Sequence, residues 1–496
     1  MFNPTLLQPK PKTLQWFIAL TIMLLSAVKS YAQFPDSTII TVGARGQYSS
    51  SDYQPLWLVA NKYGTVADQK GDFSPFIRAS SRHVLANLGY SEDTVDNSLY
   101  LKFGGSLYAN NYLKKAVLPE AYAILGYKNW ALRFGRFQQI TGDVDPQLST
   151  GSLGISGNSL PIPKVDIAVT EYTNVPWTRG FLKFKGNFAY GWFGNNRYMK
   201  EALYHEKTFY MQMGRGRLKV YGGLLHVAEW AGKRGRISLD RSFKGFLDVV
   251  FVNEADDGSV GTDQNGLRPS RAGDQRGTLE GGMSYEGNTV NLRGYVQVPF
   301  ESGEEVDYQN RSALLGFVVA PTDQELRLKK ILVELLYTKE MAAWVFSGQR
   351  QTLYNNGYYK TGWEYEGMVV GTPLFTNRNR ANKYFPEIVP YNWDAPNNSV
   401  IGNTNIVNNM LMAIHVGSIY QVTDAMIGKT LITYVRNYGS LKTGPFNPVK
   451  VQFHAGQEFT FKLPETKWDL KLGVGLDFGD LGTTVGGMLQ YSYRVW

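Results

Sequence analysis

The sequence predicts an all-β chain: an antiparallel transmembrane β-barrel of about 18 strands, within a range of about 16–20, whose lumen is either open or plugged by loops. Three observations predict it. From Val449 the positions Val449, Val451, Phe453, Ala455, Phe459, Phe461 and Leu463 alternate with Lys450, Gln452, His454, Glu458, Thr460 and Lys462, and the pattern resumes twice before the chain stops at Trp496. An ordinary strand averages about 5–6 residues and needs no such length. Aromatic residues make up 14% of the chain, with 31 Tyr and 11 Trp, as girdles at both membrane interfaces would require. The N-terminus carries the pattern of an export signal.

That signal is read as residues 1–32. Lys10 and Lys12 precede an apolar run from Phe17 to Val28, and Ser30-Tyr31-Ala32 offers small residues at the cleavage positions. A spanning helix needs about 20 apolar residues, and this run is shorter. Residues 33–97 then read as strands and loops leading into a barrel over residues 98–496. The chain has no cysteine, which excludes disulfides, a thiol nucleophile and a lipidated-cysteine anchor. Its formal charge of +9 drops once Lys10, Lys12 and Lys29 leave with the signal. The remaining positive balance fits an acidic polymer or lipopolysaccharide head groups, and equally ordinary solubility.

In chain order, alternating stretches predict strands at Thr38 to Gln47, Phe73 to Leu88, Ser98 to Tyr108, Trp130 to Phe137 and Lys164 to Glu171. Gly180 to Phe193, Thr208 to Met213, Leu218 to Leu225, Phe246 to Val252, Gly277 to Tyr285 and Thr289 to Val298 follow. Ser312 to Val319, Leu326 to Tyr337, Met341 to Phe346, Tyr358 to Val369, Asn409 to Tyr420 and Ile427 to Arg436 lead into the C-terminal triplet. A soluble sandwich would need neither this strand length nor a tyrosine-rich outer face. Outer-membrane barrels end on the periplasmic side, with short turns there and long loops outside. Counted back from Trp496, this parity places Pro464-Glu465-Thr466 and Gln421 to Ala425 inside, and Gly479 to Thr483, Tyr438 to Pro448 and Gly371 to Asn408 outside. Trp496 itself falls out of phase with Tyr491, Tyr493 and Val495.

No catalytic constellation emerges, and the chain reads as a non-enzyme. Gly428-Lys429-Thr430 lacks the upstream glycine of a phosphate loop, Gly154-Ile155-Ser156-Gly157 lacks the spacing of a nucleophile elbow, and His205-Glu206 has no second histidine at zincin spacing. Five scattered histidines encode no local metal site, and the acidic stretch Asn253 to Arg276 does not match an EF-hand. No cofactor and no nucleic acid is implied. The segment Thr141 to Pro163, rich in Gly and Ser, folds into the lumen or stands outside. The best binding candidates lie in the exterior segment: Arg378, Arg380, Lys383, Tyr384, Tyr391, Asn392 and Trp393. Sugar rings stack on aromatics, their hydroxyls need amides, and uronic acid carboxylates pair with cations. The alternative is that these are interface aromatics and loop-forming asparagines.

Several motifs converge on a known family. Pro55-Leu56-Trp57-Leu58 with Asn61 to Gly64, Leu225-His226-Val227-Ala228-Glu229-Trp230, Asn355-Asn356-Gly357-Tyr358, Gly362-Trp363 and Gly371-Thr372-Pro373-Leu374 together resemble the Wzi-type capsule assembly proteins, in particular their Bacteroidetes branch. The resemblance implies a barrel in the outer membrane of a Gram-negative bacterium that acts as a non-catalytic lectin, anchoring capsular polysaccharide or exopolysaccharide at the cell surface. The implied partners are that polysaccharide, outer-membrane lipids and lipopolysaccharide, and the barrel-assembly machinery during biogenesis. The better-known branch carries a periplasmic helical bundle before the barrel, where this chain reads as strands and loops. The rival reading is an outer-membrane channel for saccharide diffusion or export.

Overall fold

Alternation of apolar and polar side chains becomes a closed wall when every strand pairs antiparallel with its neighbours and none is left as an edge. The computed structural model describes residues 37–87, 97–253, 272–301, 310–340, 352–394, 405–462 and 466–496. It contains one 18-stranded antiparallel sheet, closed by pairing of the last strand with the first. The strands are β1 Ile39–Ser49, β2 Gly71–Asn87, β3 Ser98–Ala109, β4 Lys115–Tyr127, β5 Trp130–Arg136 and β6 Lys164–Asn174. Next come β7 Leu182–Gly194, β8 Ala202–Met213, β9 Leu218–Trp230, β10 Asp274–Glu286, β11 Val290–Phe300 and β12 Ala313–Pro321. β13 Leu328–Tyr337, β14 Met410–Thr423, β15 Met426–Ser440, β16 Gly444–Lys462, β17 Trp468–Gly479 and β18 Thr484–Arg494 complete the wall. Because β1 and β2 belong to this sheet, the barrel begins at Ile39 and not at residue 98.

Two expected strands require correction, and one strand was not expected. Lys115–Tyr127 is a strand that the sequence conceals behind Pro119: the register with β3 shifts between Ser106 and Tyr108, so Leu118 and Pro119 sit in a bulge where no ladder N–H is required. Phe246 to Val252 is instead the end of a helix, Phe243–Phe251, because Ser242 caps its N-terminus by accepting from the Gly245 N–H. Tyr358 to Val369 is no wall strand; only a small hairpin forms there, pairing Glu364–Tyr365 with Met368–Val369 inside the barrel. Met341 to Phe346 lies outside the described residues. Among the described residues the helices are α1 Leu56–Val59, α2 Phe243–Phe251 and α3 Arg378–Tyr384, besides a turn with left-handed residues at Asn110–Leu113.

Burial gives each face its solvent. In β14, Met412, Ile414 and Val416 are exposed while Leu411, Ala413 and His415 are buried. In β16 the polar set Gln452, His454 and Glu458 is buried, so the charged face of the C-terminal pattern lines the lumen. Trp468 packs on Tyr491 and Tyr493, with ring centroids 4.4 and 4.1 Å apart, forming part of an aromatic girdle. Val495 and Trp496 fall beyond the last strand and bond to the Ile40 backbone, which accounts for the phase break at Trp496.

Connections sort by end. On the side of the chain termini they are short, as at 128–129, 214–217, 287–289 and 424–425, whereas 50–70, 137–163, 231–273 and 338–409 all lie at the opposite end. The long-loop end is extracellular in outer-membrane barrels.

The lumen is filled. Residues 54–66, 138–163 and 352–377 turn inward and form an apolar core with the inner wall, including Leu56, Trp57, Leu148, Leu153, Tyr354, Trp363 and Phe375. Lumen-facing polar groups hold this plug in place. Glu334 accepts from Ser149 Oγ at 2.7 Å and from the Thr150 N–H at 2.7 Å; Gln297 accepts from the Leu153 N–H at 3.0 Å. Trp57 Nε1 donates to Thr433 Oγ1 at 3.1 Å. The expectation for Thr141 to Pro163 is thereby decided in favour of the lumen. Close approach needs bare wall positions: a Cβ at Gly456 would lie 2.6 Å from Trp57 Cβ, and one at Gly417 would lie 2.9 Å from Leu148 Cβ. Gly456→Leu is therefore expected to displace Trp57 and cost about 1–3 kcal/mol, read as a lower unfolding temperature in heat-modifiability gels with the wall still formed.

Candidate functional site

At the long-loop end the wall and plug enclose a cleft of about 330 Å³. This is at the lower limit of the about 300–1,000 Å³ of small-ligand pockets. Its floor is apolar, built by Leu56, Val59, Leu160 and Phe375. Its rim is polar and comes from four separate stretches: Asp68 and Gln69 after α1, Asn110 to Lys115 between β3 and β4, Glu366 in the lumen hairpin, and Asn377 to Lys383 on α3. An apolar floor under a ring of amides and charges matches the two-sided surface of a sugar.

Each rim group has a local cause. Asn377 is the N-cap of α3, accepting from the Arg380 N–H at 3.0 Å, while its amide donates to Glu364 Oε2 at 2.6 Å. Burial pushes the Glu364 carboxyl above its ordinary range, against the bonds from Asn405 and Asn377. Asn111 holds φ at 55°, a left-handed conformation asparagine tolerates, and this directs the turn between β3 and β4 over the cleft. Asn110 donates to the Thr65 carbonyl at 2.9 Å, but its buried Oδ1 has no hydrogen-bond partner among the described residues. A ligand hydroxyl would satisfy it.

Arg380 locks the site together. It donates to Asp68 Oδ2 at 2.7 Å, to the Gln54 carbonyl at 2.9 Å and to Tyr384 Oη at 2.8 Å, and Asp477 on the wall stands 3.7 Å away. Burial opposes its charge, yet Asp68, Tyr384 and Asp477 hold its pKa above the ordinary guanidinium value. Tyr384 meets Tyr53 edge-on at 5.2 Å, and burial raises its phenol.

The seven residues expected from composition therefore divide. Arg380 and Lys383 line the cleft, Lys383 exposed and Arg380 committed to ion pairs. Tyr384 braces Arg380 from below. Arg378, Tyr391 and Trp393 form a separate rim cluster, with the guanidinium 4.3 Å above the Tyr391 ring and Tyr391 5.2 Å from Trp393. Asn392 is exposed beside them and accepts from the Asp394 N–H. The expectation that Gly371 to Asn408 stands wholly outside is corrected: Gly371 to Asn377 and Ile406 to Asn408 are buried, with Thr372 donating to the Thr150 carbonyl in the plug.

Asp68, Asn110, Asn111, Lys115 and Glu366 were not among the expected site residues. One signal was present, since Asn110-Asn111 after an alternating run marks a turn, and parity puts that turn at the same end as Gly371 to Asn408.

Residues 58–382 match the family model described as capsule assembly protein Wzi. No curated protein sequence matches the chain. Among solved structures, Wzi of Escherichia coli, described as an outer membrane protein involved in group 1 capsule assembly and a carbohydrate-binding β-barrel, aligns over 98% of this chain and 89% of that one, with 12% identity and a TM-score of 0.53. OccK5 (OpdH) of Pseudomonas aeruginosa aligns over 94% and 100% at 8% identity with a TM-score of 0.45, and OpdL of the same organism over 93% and 100% at 10% identity with a TM-score of 0.44.

Proposed function

This chain belongs to the Wzi family of capsule assembly proteins, and on that premise we propose that it binds capsular polysaccharide or exopolysaccharide and anchors it at the surface of the outer membrane without chemically altering it. The carrying observation is the cleft at the long-loop end, with its apolar floor and its rim of asparagines and lysines. The Escherichia coli barrel is described as carbohydrate-binding, and a surface lectin needs a groove of this polarity rather than a pore. The plug supports the same reading, because core residues of three inward segments occupy the space a diffusion channel would leave open.

In the proposed mode a sugar ring lies on the half-buried Leu160 and Met368. Asn110 Oδ1 accepts a hydroxyl proton, while Asn111, Lys115, Asn379 and Lys383 donate to ring substituents. Arg380 holds α3 over the ligand rather than touching it. A glycan array on detergent-purified protein identifies the sugar.

Asn111→Ala, Lys115→Ala and Lys383→Ala together should weaken retention of capsular polysaccharide about tenfold or more, at about 0.5–1.5 kcal/mol for each hydrogen bond lost. Lys115 opens β4, but among the described residues none of the three side chains bonds the plug or a wall strand, so the heat-modifiable barrel should be unchanged. Retention equal to wild type would reject this cleft as the site.

A further inference from the structure

Strand parity sets apart one patch of the outer wall. In β8 the side chains of Tyr204 and Glu206 face the lumen, where they bond to each other, and those of Leu203, His205, Lys207 and Phe209 face outward. Phe209 is 53% exposed as a lipid-facing residue should be, yet His205 on the same side is 0% exposed. His226 of β9 and Gln275 of β10 share this outer face and are equally buried. Such groups would be costly against hydrocarbon. What covers them is α2, which lies outside the barrel near its extracellular end.

The helix fits the wall closely. Phe246 packs against Tyr190, His205 and Trp230, with ring centroids 5.6, 5.6 and 5.7 Å apart, and Val249 joins Leu203 and Ala228 in a small core. Lys207 Nζ donates to the Val250 carbonyl at the helix C-terminus, where the backbone dipole favours a cation. The opposite side is bare: Phe243 is 74% and Phe251 69% exposed, and with Leu247 they follow i, i+4, i+8 along one stripe. The preceding hairpin adds exposed Ile237 and the cations Lys233, Arg234 and Arg236, and Arg241 follows it just before the Ser242 cap. Lys233 and Arg241 share Glu201, whereas exposed Arg236 has no carboxylate partner among the described residues.

We propose that α2 and this basic hairpin form an external docking site for an anionic lipid of the outer leaflet. Acyl chains lie along Phe243, Leu247 and Phe251, and head-group phosphates meet Arg236 and Arg241. A helix with one apolar stripe and adjacent cations, held at the height of the head groups, is the form that interfacial anchors take. The occupant is a lipid rather than a protein because the patch continues the lipid-facing wall of Phe209 and Met211 below it.

The absence of cysteine permits single-site labelling. Nitroxides at Phe243→Cys and Phe251→Cys, in vesicles of zwitterionic phospholipid with and without lipid A, should be more accessible to oxygen than to a nickel chelate. Arg236→Glu with Arg241→Glu should lower lipid A retained by the purified protein by about tenfold while leaving the heat-modifiable barrel intact. Nickel-accessible labels, unchanged lipid A retention, or efficient cross-linking of two copies through position 243 would each overturn the proposal.

Discussion

Trp363→Ala should turn an electrically silent barrel into one that conducts intermittently. Trp363 is completely buried; its Nε1 donates to the Gly154 carbonyl at 2.7 Å, and its backbone pairs with Tyr354 and Val370. The ring also packs against Phe193, Tyr204 and the Arg276 guanidinium on the wall. Truncation removes the piece that joins the two largest inward segments. A hydrogen-bonded barrel cannot shrink to fill the void, so the cost should be near the full about 3–5 kcal/mol of a large aromatic deletion. That loss falls on the plug, since the ladder bonds of the wall do not pass through Trp363. In planar bilayers the wild type should show no steps, Trp363→Ala brief ones, and a deletion of residues 142–160 persistent ones. Steps of wild-type protein equal to those of the deletion would refute the closed lumen and restore the channel reading.

Arg380→Ala should release α3 from the mouth. The substitution leaves Asp68 and Asp477 without their guanidinium, and Asp477 is fully buried. Breaking a buried pair costs about 3–5 kcal/mol, but Arg380 and Asp68 are partly exposed at this rim, so about 2 kcal/mol is the better expectation. Amide exchange should rise in Arg378 to Phe385 while β14 to β18 stay protected, and polysaccharide retention should fall with it. Arg380→Lys keeps the charge without the fork that bridges Asp68, Gln54 and Tyr384, and should lie between. Unchanged exchange in α3 would show that Asn377 and Glu364 suffice to hold it.

These two residues mark the boundary of what sequence reading reached. Trp363 and Trp57 belong to family motifs in the sequence, and both are plug residues packed against the inner wall. Composition marks Arg380 as a ligand contact, and in the fold its guanidinium bonds Asp68, Gln54 and Tyr384 at the edge of the cleft. A cation in a loop looks the same in sequence whether it faces a sugar or an aspartate; here the partner Asp68 lies 312 residues away. Lys115 to Tyr127 is concealed in the sequence because a proline in a strand reads as a break unless a bulge absorbs it. Phe246 to Val252 reads as a strand because a short apolar run does not reveal its period, and the Ser242 cap is what favours a helix.

The sequence by itself determined the wall. Its period of two assigns each side chain to lipid or lumen, and an alternation this local survives without knowledge of any distant contact, as in β14 to β18. Parity from the C-terminus likewise determined which end carries the long loops. Only the tertiary structure decided what those loops do. The plug is held by pairs such as Trp363 and Gly154, 209 residues apart, and the cleft is assembled from four stretches that no spacing relates. The outer helix α2 belongs to the same class: its apolar residues were visible, but not the polar patch on β8 to β10 that it covers.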